Sequence, residues 1–247
     1  MMTDHYMQLS YWEISKNIYY SILFIMPMLF LYEIMCWIQY YGLKVQIRNG
    51  ADVFIRQLFF SFGHYSELAY SLTLLIIFLV IVYFNWNVIE KGKLKISFLL
   101  FMFLESLIWC IVFIFLMGVS ENILLSILER NIIPEQFYLS IGAGIWEELL
   151  FRVGTIGIII YFMKYTLGYN HLFCVFMAIL FSALLFSLFH YIGQLGDIFT
   201  FRSFSLRTYA GIMLGSLYVF RGFGITVYTH IFYDMAIISM PVLMYNN

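Results

Sequence analysis

Three short constellations in the second half of the chain combine residue types and spacings that could do chemistry. Glu147-Glu148-Leu149-Leu150-Phe151-Arg152 sets two adjacent carboxylates ahead of an arginine. On a helix, residues four apart share a face, whereas neighbours diverge by ~100°. Glu148 is therefore expected to pair with Arg152. Glu147 points elsewhere, with no local counter-ion, and a carboxylate desolvated in that way suits a general base or acid. Phe186-Ser187-Leu188-Phe189-His190 brings Phe186 and His190 onto one face. His230-Ile231-Phe232-Tyr233-Asp234 does the same for an imidazole and a carboxyl group that could orient it. The plain alternative for each group is helix–helix glue, a role that suits Glu148 and Arg152 better than Glu147.

These residues sit in unusual surroundings. Of the 247 residues, 63% are hydrophobic, 21% aromatic and only 11% charged, and the mean hydropathy is +0.90. Soluble domains are ~45–50% apolar and ~25% charged, so an ordinary soluble fold is excluded. The abundance of aromatics excludes disorder, and a net charge of −1 gives no electrostatic case for nucleic acid as a partner. A membrane-crossing helix needs ~20 mostly apolar residues. Seven stretches qualify: 18–40, 66–84, 96–117, 138–163, 171–193, 205–221 and 223–245. They are too long and too evenly apolar for barrel strands. The expected fold is all-α, a polytopic transmembrane bundle of about seven spans in one integrated membrane domain. Residues 1–137 would supply N-terminal helices and an interfacial segment, and residues 138–247 would form the core carrying the three constellations. The aromatic stretch 53–62 is expected either to lie in the interface as an amphipathic helix or to lengthen the second span.

A charged group at a helix centre costs ~2.5–3.5 kcal/mol on insertion scales. Glu147, Glu148, Arg152 and Asp234 facing lipid would together cost on the order of 10 kcal/mol, comparable to the stability of a domain. They must face a cavity or one another. At ~1.5 Å per residue, Glu147 and Asp234 both fall near the middle of a hydrocarbon core ~30 Å thick. His190 falls nearer the face where the fourth span begins. One polar site formed by the fourth, fifth and seventh spans would gather Glu147, His190, His230 and Asp234.

The other polar residues say less. Asp4, Glu13 and Lys16 precede the first span, which is read as a true span rather than a cleavable signal. The cationic residues assigned to loops divide evenly: Lys16, Lys91, Lys93, Lys95, Lys164 and Arg221 on one side, and Lys44, Arg48, Arg56, Arg130, Arg202 and Arg207 on the other. Charge bias therefore leaves orientation open. Glu33 is expected at a span end in contact with the interface, and Glu105 is expected to have a buried partner that the sequence does not name. Cys36, Cys110 and Cys174 lie in apolar stretches and read as small buried hydrophobes. Gly211 and Gly215 form a GxxxG suited to close helix packing. His5, His64 and His171 are assigned to solvated positions at the N-terminus or in loops.

Glu147-Glu148-x-x-x-Arg152, Phe186-x-x-x-His190 and His230-x-x-x-Asp234, in that order within apolar helices, resemble the CAAX protease and bacteriocin-processing family of intramembrane endopeptidases, which includes the CAAX prenyl endopeptidase. The resemblance covers residues 138–240. It implies that Glu147 and His190 activate water, and that His230 and the residue in place 234 stabilise the oxyanion. The family more often has Asn in that last place. An ionised Asp cannot donate to an oxyanion, so Asp234 is expected to orient and charge His230 instead. Glu148, Arg152 and Phe186 are expected to orient or support. The resemblance further implies a membrane-anchored peptide or protein substrate, of the prenylated-tail, bacteriocin-leader or sorting-related kind, and residence in a bacterial cytoplasmic membrane.

Competing chemistries leave fewer traces. There is no HExxH and no GxGD, because Gly222-Phe223-Gly224 is followed by Ile225. Ser182 and Ser187 lie on an apolar helix without a Gly-rich turn, which speaks against a serine nucleophile. No cofactor is expected. A zinc-dependent version of the same protease stays open, because Glu147, Glu148, His190, His230 and Asp234 could offer N and O ligands. So does a non-catalytic scaffold or proton-coupled transporter, because buried carboxylates and histidines also make proton relays. Oligomeric state is not readable.

Overall fold

The structure is a computed structural model that describes residues 10–43, 47–85, 96–118, 135–193 and 196–245. Among these residues every regular element is helical. A short helix α1, Tyr11–Ser15, opens with a capping box in which Ser10 and Glu13 bond each other's backbone N–H. Helices α2 (Ile18–Leu43), α3 (Gly50–Gln57), α4 (Ser66–Phe84) and α5 (Ile96–Leu116) follow. Helix α6 starts at Glu135–Gly142 and runs on through π-helical stretches Ala143–Glu147 and Leu149–Ile156. An α-helical turn, Gly157–Tyr161, and a last π stretch, Phe162–Thr166, complete it. Helices α7 (His171–Phe189), α8 (Phe201–Arg221) and α9 (Phe223–Tyr245) complete the bundle.

Each of the seven expected stretches falls wholly or largely in one of these helices. Four segments are long and apolar enough to cross a membrane by length and composition: Ile18–Gly42, Phe60–Phe84, Ile96–Leu116 and His171–Phe189. The other three stretches belong to α6, α8 and α9, which carry most of the buried polar residues. Residues 53–62 do not simply prolong the second span. They fall in α3 and in a 3₁₀ link, Phe60–Tyr65, where Gly63 at φ 54° turns the chain between α3 and α4. The fifth stretch ends earlier than 193, with His190 as the C-cap of α7 and Gly193 at φ 94° in the following turn.

The bundle exposes large apolar side chains and, within a largely apolar core, buries several charged ones. Phe84, Ile108, Ile111, Phe115 and Leu172 are exposed, whereas Asp52, Glu148, Arg152 and Arg221 are fully buried. A soluble protein distributes these types the other way, so this is the surface of an integral membrane protein. Helix α9 lies at the centre, against α2, α5, α6 and α8. Its Tyr228 stacks on Phe24 with ring centroids 4.0 Å apart and donates to the Phe24 carbonyl at 2.9 Å. The α6–α9 crossing is close because residue 144 has no side chain. A Cβ there would run into Ile231 Cγ1 and lie 2.9 Å from the Val227 carbonyl. Helices α7 and α8 meet at the expected GxxxG, where a Cβ on Gly211 would sit 2.9 Å from Ala183 Cα and one on Gly215 3.3 Å from Ile179. Cys36, Cys110 and Cys174 are buried and free.

Several charges assigned to loops are tied into the protein. Arg221 is fully buried at the end of α8 rather than in a loop, and it is the partner that Glu105 requires. Its Nη2 donates to Glu105 at 2.7 Å and to Ser15 at 2.9 Å, and its Nε also donates to Glu105. Tyr11 donates to the same carboxylate at 2.6 Å, and the guanidinium stacks 3.8 Å from the Trp12 ring. Glu33 pairs with Arg48 at 2.8 Å and with Arg56 at 3.3 Å. Both arginines also hold Asp52 on α3, each at 2.8 Å. His64 and His171 are exposed as expected. Asp4, His5, Lys44, Lys91, Lys93, Lys95 and Arg130 lie outside the described residues.

Candidate active site

Helices α6 to α9 and the end of α5 line an open cavity of about 650 Å³. Glu147, Phe186, His190, His230 and Asp234 all line it. The three constellations therefore meet in space, and the four groups expected to do chemistry share one chamber. Thr200, Arg202, Ser203 and Arg207 at the start of α8 form another part of its wall.

Glu147 comes from the π-helical part of α6. Widened i→i+5 turns recur at functional sites in other proteins, and here Thr155 Oγ1 donates to the carbonyl five residues back, on Leu150, at 3.0 Å. Glu147 is 7% exposed. Among the described residues no ion pair involves it, and Oε1 accepts from Asn49 Nδ2 at 2.9 Å. Asn49 lies in the first half of the chain, where it is the N-cap of α3, and no sequence motif pointed to it.

Glu148 turns away from the cavity and is fully buried. Its Oε2 lies 3.0 Å from Arg152 Nε, the pair expected from the spacing. Its Oε1 lies 2.8 Å from His230 Nδ1, a contact between α6 and α9 that the sequence did not disclose. A carboxylate accepts only, so Nδ1 carries a proton and donates. Asp234 Oδ2 is farther off, 3.5 Å from His230 Nε2. Glu148 thus makes the closer, better-placed contact to the imidazole that was expected of Asp234. Arg152 is sealed in beneath these groups, its guanidinium 4.6 Å from the centre of the Phe186 ring.

His190 owes its orientation to the end of α7. Its Nδ1 lies 2.8 Å from the Phe186 carbonyl. A carbonyl cannot donate, so Nδ1 holds a proton, and in the uncharged tautomer Nε2 is the acceptor. Phe186 packs edge-on against His190, with centroids 4.9 Å apart, and touches His230 at 6.2 Å. Ser182 and Ser187 are buried and donate to the Phe151 and Phe204 carbonyls at 2.7 and 2.8 Å, so neither is presented as a nucleophile.

Among the described residues, no three His, Cys, Asp or Glu side chains converge as a set able to hold a metal ion. Glu148 has one oxygen on His230 and the other beside Arg152. The donor set required by the zinc version is not assembled in this arrangement.

The fold and cavity define an integral membrane protein of the helical-bundle class with a buried acid–imidazole site. Residues 129–236 match the family model for Rce1-like proteins, Type II CAAX prenyl endopeptidase Rce1-like. The chain thus carries an Rce1-like segment that includes all three constellations, which bears out the resemblance read from their spacing. The description of that family names an endopeptidase activity on CAAX prenyl substrates. No curated protein and no solved structure gives a significant match.

Proposed function

We propose that the protein is an intramembrane endopeptidase that cleaves a peptide bond of a membrane-anchored substrate with water activated by Glu147 and His190. The observation that carries this reading is the opening of Glu147, His190, His230 and Asp234 onto one cavity. With Glu147 Oε1 held by Asn49, Oε2 is the oxygen with no protein partner among the described residues. His190 Nε2 is the free acceptor of its ring. A water donating to both would turn an oxygen lone pair toward a bound carbonyl. Glu147 takes one proton as the oxygen attacks the carbonyl carbon, and the C=O π pair moves onto oxygen. Collapse of this intermediate breaks the C–N bond, and the leaving amine takes the proton from Glu147. No covalent acyl-enzyme forms.

The oxyanion needs donors placed where its charge develops. His230 donates Nδ1–H to Glu148, so it serves the oxyanion from Nε2 only with a proton there. Glu148 is then the counter-charge of that imidazolium, and Asp234 flanks it on the cavity side. Each such donor contributes ~2.7–4 kcal/mol where it has been removed by mutation. The test is a comparison of membrane proteins from cells carrying the wild type or Glu147→Gln. A substrate that stays unprocessed only in the variant supports the reading. Identical processing in both ends it.

A further inference from the structure

Asn49 makes two bonds with one side chain. Its Oδ1 accepts from the Ala51 N–H at 2.8 Å and caps α3, and its Nδ2 donates to Glu147 Oε1 at 2.9 Å. The cap settles which end of the amide faces Glu147, since only the oxygen can accept from an N–H. The residue is held from behind as well. Its backbone N–H donates to Tyr32 Oη at 3.1 Å, and Tyr32 donates to the buried Asp52 at 3.0 Å. Arg48 and Arg56 fix that carboxylate at 2.8 Å each. Space for this approach comes from Gly142, five residues before Glu147. A Cβ on Gly142 would lie 3.0 Å from Asn49 Cβ and 2.5 Å from Tyr32 Cε2.

We infer that Asn49 is a positioning residue for Glu147: it holds Oε1, so that the other carboxylate oxygen, Oε2, is the one that receives the proton from water. Asn49 lies outside the segment 129–236 that matches the Rce1-like family, so the site draws on the first half of the chain. An amide N–H aimed at Oε1 fixes the rotamer of the carboxylate and blocks protonation at that oxygen. The inference rests on the proposed hydrolytic role of Glu147.

The two duties of Asn49 can be separated. Ser and Asp are N-caps as good as Asn, but neither offers an amide N–H to Glu147. The probe is a fluorogenic peptide bearing a farnesylated cysteine, assayed with purified full-length protein in detergent. Asn49→Ser should keep the thermal unfolding midpoint of the wild type and lower kcat about 10- to 100-fold, with KM unchanged. Asn49→Asp, which sets a second carboxylate against Glu147, should lower kcat further. A variant that merely loosened the fold would change the unfolding midpoint or KM instead. Wild-type kcat in both variants would overturn the inference while leaving the proposed function intact. Failure of the wild type itself to cleave the probe or any membrane protein would overturn both.

Discussion

Glu148 Oε1 lies 2.8 Å from His230 Nδ1, joining α6 to α9 beneath the cavity floor. The second glutamate of the pair is therefore more than the partner of Arg152. It bridges the guanidinium, whose Nε lies 3.0 Å away, and the imidazole proposed to face the oxyanion. The first glutamate is left to face the cavity. Two adjacent carboxylates thus serve different faces of one helix.

Removing one partner of a buried charge pair typically costs ~3–5 kcal/mol, because the other is left uncompensated. Glu148→Gln should lower the stability of the detergent-solubilised protein by that order and reduce kcat. Combining it with Arg152→Leu should recover much of the stability, measured by thermal unfolding, but not kcat, because His230 still lacks its acceptor charge. Recovery of both together would make Glu148 purely structural.

The Arg221–Glu105 pair permits the opposite separation. It ties α1, α5 and α8 together, and neither residue lines the cavity. Arg221→Met should destabilise the protein by ~3–5 kcal/mol. The fraction that remains folded should cleave with wild-type kcat. A folded Arg221→Met with kcat reduced more than about tenfold, ~1.4 kcal/mol in barrier, would mean the pair reaches the site.

Gly144 measures the helix crossing that brings His230 toward Glu148. A Cβ there meets Ile231 and the Val227 carbonyl, whereas a Cβ on Gly157 meets nothing within 4 Å. Overpacking costs ~1–3 kcal/mol, so Gly144→Ala should lower the unfolding midpoint and kcat together. Gly157→Ala should leave both unchanged or raise the midpoint slightly, since Ala is the better helix former. Equal effects of the two substitutions would argue against the close crossing.

What the sequence made legible follows from which distances the backbone alone sets. Helical periodicity fixes Glu148 against Arg152 and His190 against Phe186, and both relations are present. Apolar length located the stretches now seen as helices, and the exclusion of charge from hydrocarbon required Glu147 and Asp234 to share a polar chamber. Contacts between helices were not legible. Glu148 and His230 are 82 residues apart, Asn49 and Glu147 98, and Glu105 and Arg221 116. Arg221 beside Gly222 looked like a loop charge, because nothing in its neighbours announces Glu105. Asn49 followed by Gly50 and Ala51 shows only a helix start.

Metal dependence is open to direct assay. No metal-holding group is assembled among the described residues. Prolonged treatment of the purified protein with 1,10-phenanthroline should leave kcat unchanged. Inactivation that zinc reverses would require Glu147, His190 and His230 to rearrange around the ion.

The central claim is that Glu147 takes the proton from the attacking water. The most direct measurement is single-turnover cleavage of the farnesylated fluorogenic peptide by wild-type protein and by Glu147→Gln, each shown to be folded by its unfolding transition. General base catalysis contributes ~10²–10⁴-fold, so the variant should bind the peptide as the wild type does and lose at least about a hundredfold in rate. Cleavage by Glu147→Gln at the wild-type rate would contradict the account.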